Sequence, residues 1–280
     1  MKNILVLIDL NKAPENILRS ASKIADQLNA NLVVSCFQHN VSMIEEFHDS
    51  EGPLQDEKYF SCSEHLADFL RGEPSFHRDL VTQITCIDPV DDDMQAIKKF
   101  VVKNNILMTI QSMPDSIEFT DDHAGSSMPE MVKAINCPHL FIPDHLDLTQ
   151  LDKIAYFTDL RYCDIGVVNF LKAFNAYIFV THLSASGIPD LDERYAQSIL
   201  SEEIAVHTGY NKLFLRNIKR VDMLNNLEKV IESTDVGLCA IVNKKHRLLE
   251  ELFPSKPVAF RNFRQLPLLI FPYFDWFFSS

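Results

Sequence analysis

Short, unbroken apolar runs alternate along this chain with longer stretches whose apolar residues recur every three to four positions. The runs are too short for helices and too uniformly apolar for half-exposed strands, so they predict strands buried on both faces. The longer stretches predict amphipathic helices. "NILVLIDL" opens the series as a strand ending at Asp9, followed by "APENILRSASKIADQLNA", where Ile17, Ala21, Ile24, Ala25 and Leu28 fall at helical spacing. "NLVVSCF" is the next strand. Residues 54–71 then read as helix, "LVTQITCID" as strand, "DDMQAIKKFVVKN" as helix and "ILMTIQS" as strand. A glycine-serine turn, a helix and a short strand follow in "GSSMPEMVKAINCPHLFIP".

The series then starts again. "KIAYFTDL" is a strand ending at Asp159, "CDIGVVNFLKAFNA" a helix and "YIFVTHL" a strand. "DLDERYAQSILSEEIAVHTG", "KLFLRNI", "DMLNNLEKVIEST" and "GLCAIVN" continue as helix, strand, helix and strand. The two endings also match: Gly125 to Pro138 and Pro254 to Pro267 are both 13 residues, and each segment closes on a short apolar strand and a proline, Pro143 or Pro272. An internal repeat explains this, and it divides the chain into residues 1–148 and 149–280. Apolar strands separated by helices pair in parallel through right-handed crossovers. Each half is therefore expected to be a doubly wound, five-stranded α/β domain.

Ligands of such sheets sit beyond the carboxyl ends of the strands, where the strand order reverses. That rule gathers Asp9, Ser112 and the 112–126 loop in one half. It gathers Asp159, Asn243 and the 243–255 loop in the other.

Charge separates the halves that pattern makes alike. Of the net charge of −13, residues 1–148 contribute 11 Lys and Arg against 24 Asp and Glu, and residues 149–280 contribute 15 against 15. An acidic balance argues against nucleic acid as partner. No apolar run approaches the length of a membrane span. The amino-terminal run reads as a strand rather than a signal peptide, which sets a cytoplasmic expectation. The six cysteines form no CxxC pair and lie mostly in apolar segments, as buried free thiols do. The histidines show no zinc spacing, so no metal site is expected. Residues 39–79 are long and acidic, and read either as a solvated segment or as a docking surface for a basic partner.

A strand ending in Asp, a long helix and a terminal Gly-Ser, helix, Cys-Pro, strand, Pro sequence together resemble the universal stress proteins. The resemblance covers nearly the whole chain as two copies. It implies a Rossmann-like α/β fold, with the domains pairing through their last strands as an intramolecular pseudo-dimer. Nucleotide-binding members hold ATP with an Asp at the end of the first strand and a Gly-x2-Gly-x9-Gly-Ser/Thr loop. Glycines let the backbone approach the phosphates, and the final Gly-Ser starts a helix whose N–H groups face them. On that pattern the first half retains Asp9, Gly125 and Ser126, with Ser127 beside them. Ser112 and Asp115 stand where the earlier glycines would be, amid Glu118, Asp121 and Asp122. The second half keeps Asp159 and Ser255, while Asn243, His246 and Pro254 fall at the glycine positions. Its loop carries Lys244, Lys245, His246 and Arg247 and can hold an anion by charge.

The resemblance therefore points to a non-enzymatic stress-response or regulatory module with impaired ATP binding, acting through protein partners or another small ligand. The alternatives are a member that still binds or slowly hydrolyses ATP with magnesium, and an unrelated α/β enzyme. Asp9 and Asp159 serve as ligand carboxylates or as helix caps, and Gly125 with Ser126 serves equally to make a turn and a cap. No motif places a base beside Ser126 or Ser127, so no catalytic residue is assigned. The tail "PYFDWFFSS" holds five aromatics, Trp276 among them. It reads either as packing across the two halves or as a surface for self-association, including a homodimer.

Overall fold

In the computed structural model the described residues are 2–9, 14–37, 83–87, 94–113, 132, 134–146, 148, 151–158, 160, 164–183, 192–218, 231–243 and 265–272. The first half supplies β1 (Asn3–Asp9), α1 (Glu15–Leu28), β2 (Asn31–Phe37), β3 (Ile84–Ile87), α2 (Met94–Lys103), β4 (Ile106–Ser112) and β5 (His139–Ile142). The second supplies β6 (Lys153–Thr158), α3 (Asp164–Leu171), β7 (Tyr177–Leu183), α4 (Glu193–Ser198), β8 (Leu213–Ile218), β9 (Leu238–Val242) and β10 (Leu268–Phe271). α4 runs on through a wider π-helical stretch, Ile199–Ala205, to Thr208. Gly209 ends it at φ +60°, a left-handed conformation that glycine adopts without strain. The helices expected at 54–71 and after Gly125 lie wholly or largely outside the described residues, and only 231–234 of the helix before β9 is described.

All ten strands form one sheet in the order β3-β2-β1-β4-β5-β10-β9-β6-β7-β8. Each half contributes five parallel strands, and the order reverses once in each half, between β1 and β4 and between β6 and β9. This is the doubly wound arrangement expected from the apolar pattern. The inner strands are buried on both faces: Ile4–Ile8, Ile154–Thr158 and Leu238–Val242 are buried without a break. On one side of the sheet a single apolar core runs through both halves, from Ile17, Leu18 and Ile24 of α1 to Val167, Val168 and Leu171 of α3. On the other side of the first half, Ile97 and Val101 of α2 close over Leu5, Leu7 and Cys137.

The halves join through their last strands. β5 and β10 pair antiparallel, with Leu140 opposite Leu269, His139 opposite Ile270 and Phe141 opposite Leu268. That register is its own image under exchange of the halves, which is the mark of an isologous two-fold contact. Backbone hydrogen bonds repeat the relation: Thr109 N donates to Pro138 O as Cys239 N does to Pro267 O, both at 2.9 Å. Across the helical layer, Gln27 Nε2 donates to Phe174 O at 2.6 Å. The two halves are thus paired within one chain.

One exchange breaks the symmetry at this junction. Where the second half has Cys239 and Leu268, the first has Thr109 and His139, both fully buried. His139 Nε2 lies 3.2 Å from Ile135 O and Nδ1 lies 2.7 Å from Thr109 Oγ1. A carbonyl only accepts, so Nε2 carries the proton and the Thr109 hydroxyl donates to Nδ1. Burial away from water pulls the His139 pKa down to about 4, against a smaller upward pull from the Ile135 carbonyl. The ring is neutral at physiological pH. Burial likewise pushes the Cys137 thiol up to about 12, partly offset by the Thr109 backbone hydrogen bond, and raises that of Cys239. Both are inert structural thiols, as the sequence suggested.

Candidate functional site

The carboxyl ends of β1 and β4 flank the reversal in the first half. Register sets Leu7 beside Gln111, so Asp9 and Ser112 end neighbouring strands. Ser112 is half-buried, and it pairs with Ile142 of β5. Met113 N then donates to Ile142 O at 2.7 Å, which carries the strand pairing one residue past Ser112. Of Asp9 only the backbone is described, as the last residue of β1, opposite Phe37. Gly125, Ser126, Ser127, Asp159, Lys244 and Ser255 lie outside the described residues, as do Asp115, the 39–79 segment and the aromatic tail.

In the second half Asn243 follows β9, half-buried, and its N–H donates to Phe271 O at 2.8 Å. That bond is the counterpart of the Met113 bond. Asn243 therefore stands level with Met113, and Val242 stands level with Ser112. The two polar residues that the sequence treated as equivalents are one position out of step.

Two further polar groups sit at this end of the second half, and motif reading missed both. Thr158, the last residue of β6, is buried, and His182 of β7 is buried opposite it in register. Thr158 Oγ1 accepts from Leu160 N at 3.0 Å. Leu160 has φ 55°, a left-handed conformation unusual for leucine, and its side chain is buried. Leu160 thus holds a strained backbone conformation with its side chain buried, and the Thr158 hydroxyl supports it. At matching register the first half has Ile8, Cys36 and Met113. The polar set Thr158, His182 and Asn243 belongs to the second half alone. The one signal in the sequence was a histidine at the end of an otherwise apolar strand, "YIFVTHL".

Thr158 and His182 are buried on the sheet face shared with Tyr156 and Val180, whereas Asn243, one residue past Val242, alternates to the other face and is half-buried, so Asn243 is the member of the set open to a ligand. Among the described residues no group of three or more His, Cys, Asp or Glu side chains is gathered to hold a metal ion. No helix among them is long and apolar enough to cross a membrane.

No protein-family model and no curated protein matches the sequence. Solved structures do match its fold. A universal stress protein from Archaeoglobus fulgidus DSM 4304 is similar at 9% identity and TM-score 0.57, over 96% of this chain and 98% of that one. A Pseudomonas aeruginosa UCBPP-PA14 protein, put forward as a universal stress protein, is similar at 14% identity and TM-score 0.56, over 96% and 92%. Protein PA1789 from Pseudomonas aeruginosa PAO1, described as functionally unknown, is similar at 13% identity and TM-score 0.56, again over 96% and 92%. Near-complete coverage on both sides extends the likeness to the whole ten-stranded assembly. At these identities what is shared is architecture: this chain has the fold of the universal stress proteins, with its five-strand order present twice in one sheet.

Proposed function

We propose that this chain is a non-enzymatic regulatory module of the universal stress type whose ATP loop is lost, acting through protein partners or a different small ligand. The observation that carries the reading is Ser112. It ends β4 at the sheet's reversal, half-buried and held in pairing through Met113, where a phosphate loop needs a bare backbone. Asp115 follows three residues later, with Glu118, Asp121 and Asp122 beyond it, and no lysine or arginine lies between Lys103 and Lys133. Millimolar binding is worth only about 4 kcal/mol, so a few kcal/mol of like-charge contact abolishes it.

A second reading places a nucleotide in the other half. It draws on Asn243, half-buried just past β9 and followed in sequence by Lys244, Lys245, His246 and Arg247. Pro254 weakens it, since proline offers no N–H to a phosphate. Equilibrium dialysis of labelled ATP with magnesium separates the two readings. The first predicts no saturable binding in the micromolar range. Saturable micromolar binding that Asn243→Ala weakens and Ser112→Ala does not would establish the second.

A further inference from the structure

β8 ends the sheet, and one face of β7 and β8 carries a contiguous aromatic and cationic surface. Phe214 stacks on Phe179 with ring centroids 5.5 Å apart, and it lies 6.0 Å from Tyr177. Tyr177 and Phe214 are each 46% exposed, and Arg216, two residues along the same face, is exposed as well. Lys212 Nζ sits 5.3 Å from the Tyr177 ring centroid while donating to the backbone and side-chain oxygens of Asn175, both at 2.8 Å. Among the described residues Arg216 has no ion-pair partner, and no strand pairs with β8 on its outer side.

The first half acts as an internal control for what the fold requires here. At matching register it has Asn31, Val33, Thr85 and Ile87, with Gln83 in place of Lys212. The same backbone is built there with neither exposed rings nor cations. Exposed aromatic rings with arginine beside them are the composition of an interface centre.

We propose that this surface seats a second copy of the chain, which presents the acidic stretch 45–57 of its first half. That stretch holds Glu45, Glu46, Asp49, Glu51, Asp56 and Glu57 with Phe47 among them, and no lysine or arginine. It offers carboxylates to Lys212 and Arg216 and a ring to Tyr177 and Phe214. In its own chain it connects β2 to β3, the opposite end of the sheet. Nine interstrand spacings separate β3 from β8, roughly 43 Å at about 4.8 Å each, which favours contact between chains over contact within one. The contact is head-to-tail and so builds rings or open chains rather than a closed pair. It does not depend on whether either half holds a nucleotide.

Sedimentation velocity on the full chain tests this, from about 1 to about 100 µM, at low salt and at about 0.5 M salt, where exposed charges are screened. The expected result is a mass that rises with concentration and falls in high salt. Arg216→Glu and Phe214→Ser, both at exposed positions, should each weaken association about tenfold or more. Glu45→Lys with Glu46→Lys should do the same, and mixing that variant with Arg216→Glu should restore pairwise association, because the intact surface of the one then meets the intact acidic stretch of the other. A chain that stays monomeric throughout overturns the proposal. So does association that the Arg216 and Phe214 variants leave unchanged, or that they abolish while the Glu45 and Glu46 variant does not.

Discussion

At the carboxyl ends of the first half's strands stand Ile8, Cys36 and Met113; at the same levels of the second half stand Thr158, His182 and Asn243. At the junction the exchange runs the other way, with Thr109 and His139 in the first half against Cys239 and Leu268 in the second. Along the outer strands, Asn31, Val33 and Thr85 hold the positions that Tyr177, Phe179 and Phe214 hold in the second half. The strand order that carries these residues is built twice, and several single hydrogen bonds repeat with it. Strand order and apolar filling are thus what the fold demands of both halves, and the polar and aromatic residues are what each half has been free to change. A site or a surface is best sought where the twins disagree.

Leu140 and Leu269 offer the most forceful test, because there the twins agree. Each is fully or almost fully buried at the centre of the junction. Truncating either to alanine should cost about 2 to 5 kcal/mol, and the two costs should be similar, as urea unfolding would reveal. A large cost on one side and almost none on the other would break the two-fold relation.

Next comes the asymmetric pair. His139 titrates near pH 4 when folded and near 6.5 when unfolded. Between those values the unfolded chain binds the extra proton, so stability rises with pH and is lost as pH falls from about 6.5 to 4. The loss is about 3 kcal/mol. Carboxylates titrate in the same window, so the measurement is a difference between variants. Thr109→Cys with His139→Leu copies the second half into the first, and its stability should fall less steeply between pH 7 and pH 4 by about that amount. An unchanged slope would mean that the imidazole is reached by water.

The helix ends give the smallest effect. Asn29 closes α1, and Asn175 closes the 3-10 turn Lys172–Phe174 that continues α3, both in the left-handed conformation, at φ 51° and 53°. Alanine at Asn29 should cost about 1 kcal/mol and glycine less than about half of that, and each change should cost somewhat more at Asn175, whose side chain also accepts from Lys212. Thermal unfolding of the four single variants would check it.

Much of this was legible in the sequence, for identifiable reasons. A strand buried on both faces must be apolar throughout, so "NILVLID" and "LCAIV" announced themselves. Leu28 was expected on the buried face of α1 and is only partly buried, because it lies in the last turn. The shared 13-residue spacing before Pro138 and Pro267 was an early trace of the two-fold relation. Less legible was anything that register decides. Thr158, His182 and Asn243 come from three strands far apart in sequence, and no motif links them. Register also sets Asn243 level with Met113 rather than Ser112, since the repeat is not of constant length between strand and strand. The pairing of Thr109 with His139 was equally hidden, since each alone reads as an ordinary polar interruption in an apolar run.

The central claim, that a doubled stress-protein fold is kept while its ATP loop is lost, is tested most directly by unfolding the full chain in urea with and without MgATP. A ligand held only by the folded state adds about 2.7 kcal/mol at a hundred times its dissociation constant. At about 1 mM MgATP, an ATP-binding protein of about 10 µM affinity would gain that amount. This account predicts no gain beyond that given by magnesium with an equal concentration of sulfate. A saturable gain of about 2 kcal/mol or more, specific to ATP, would contradict it.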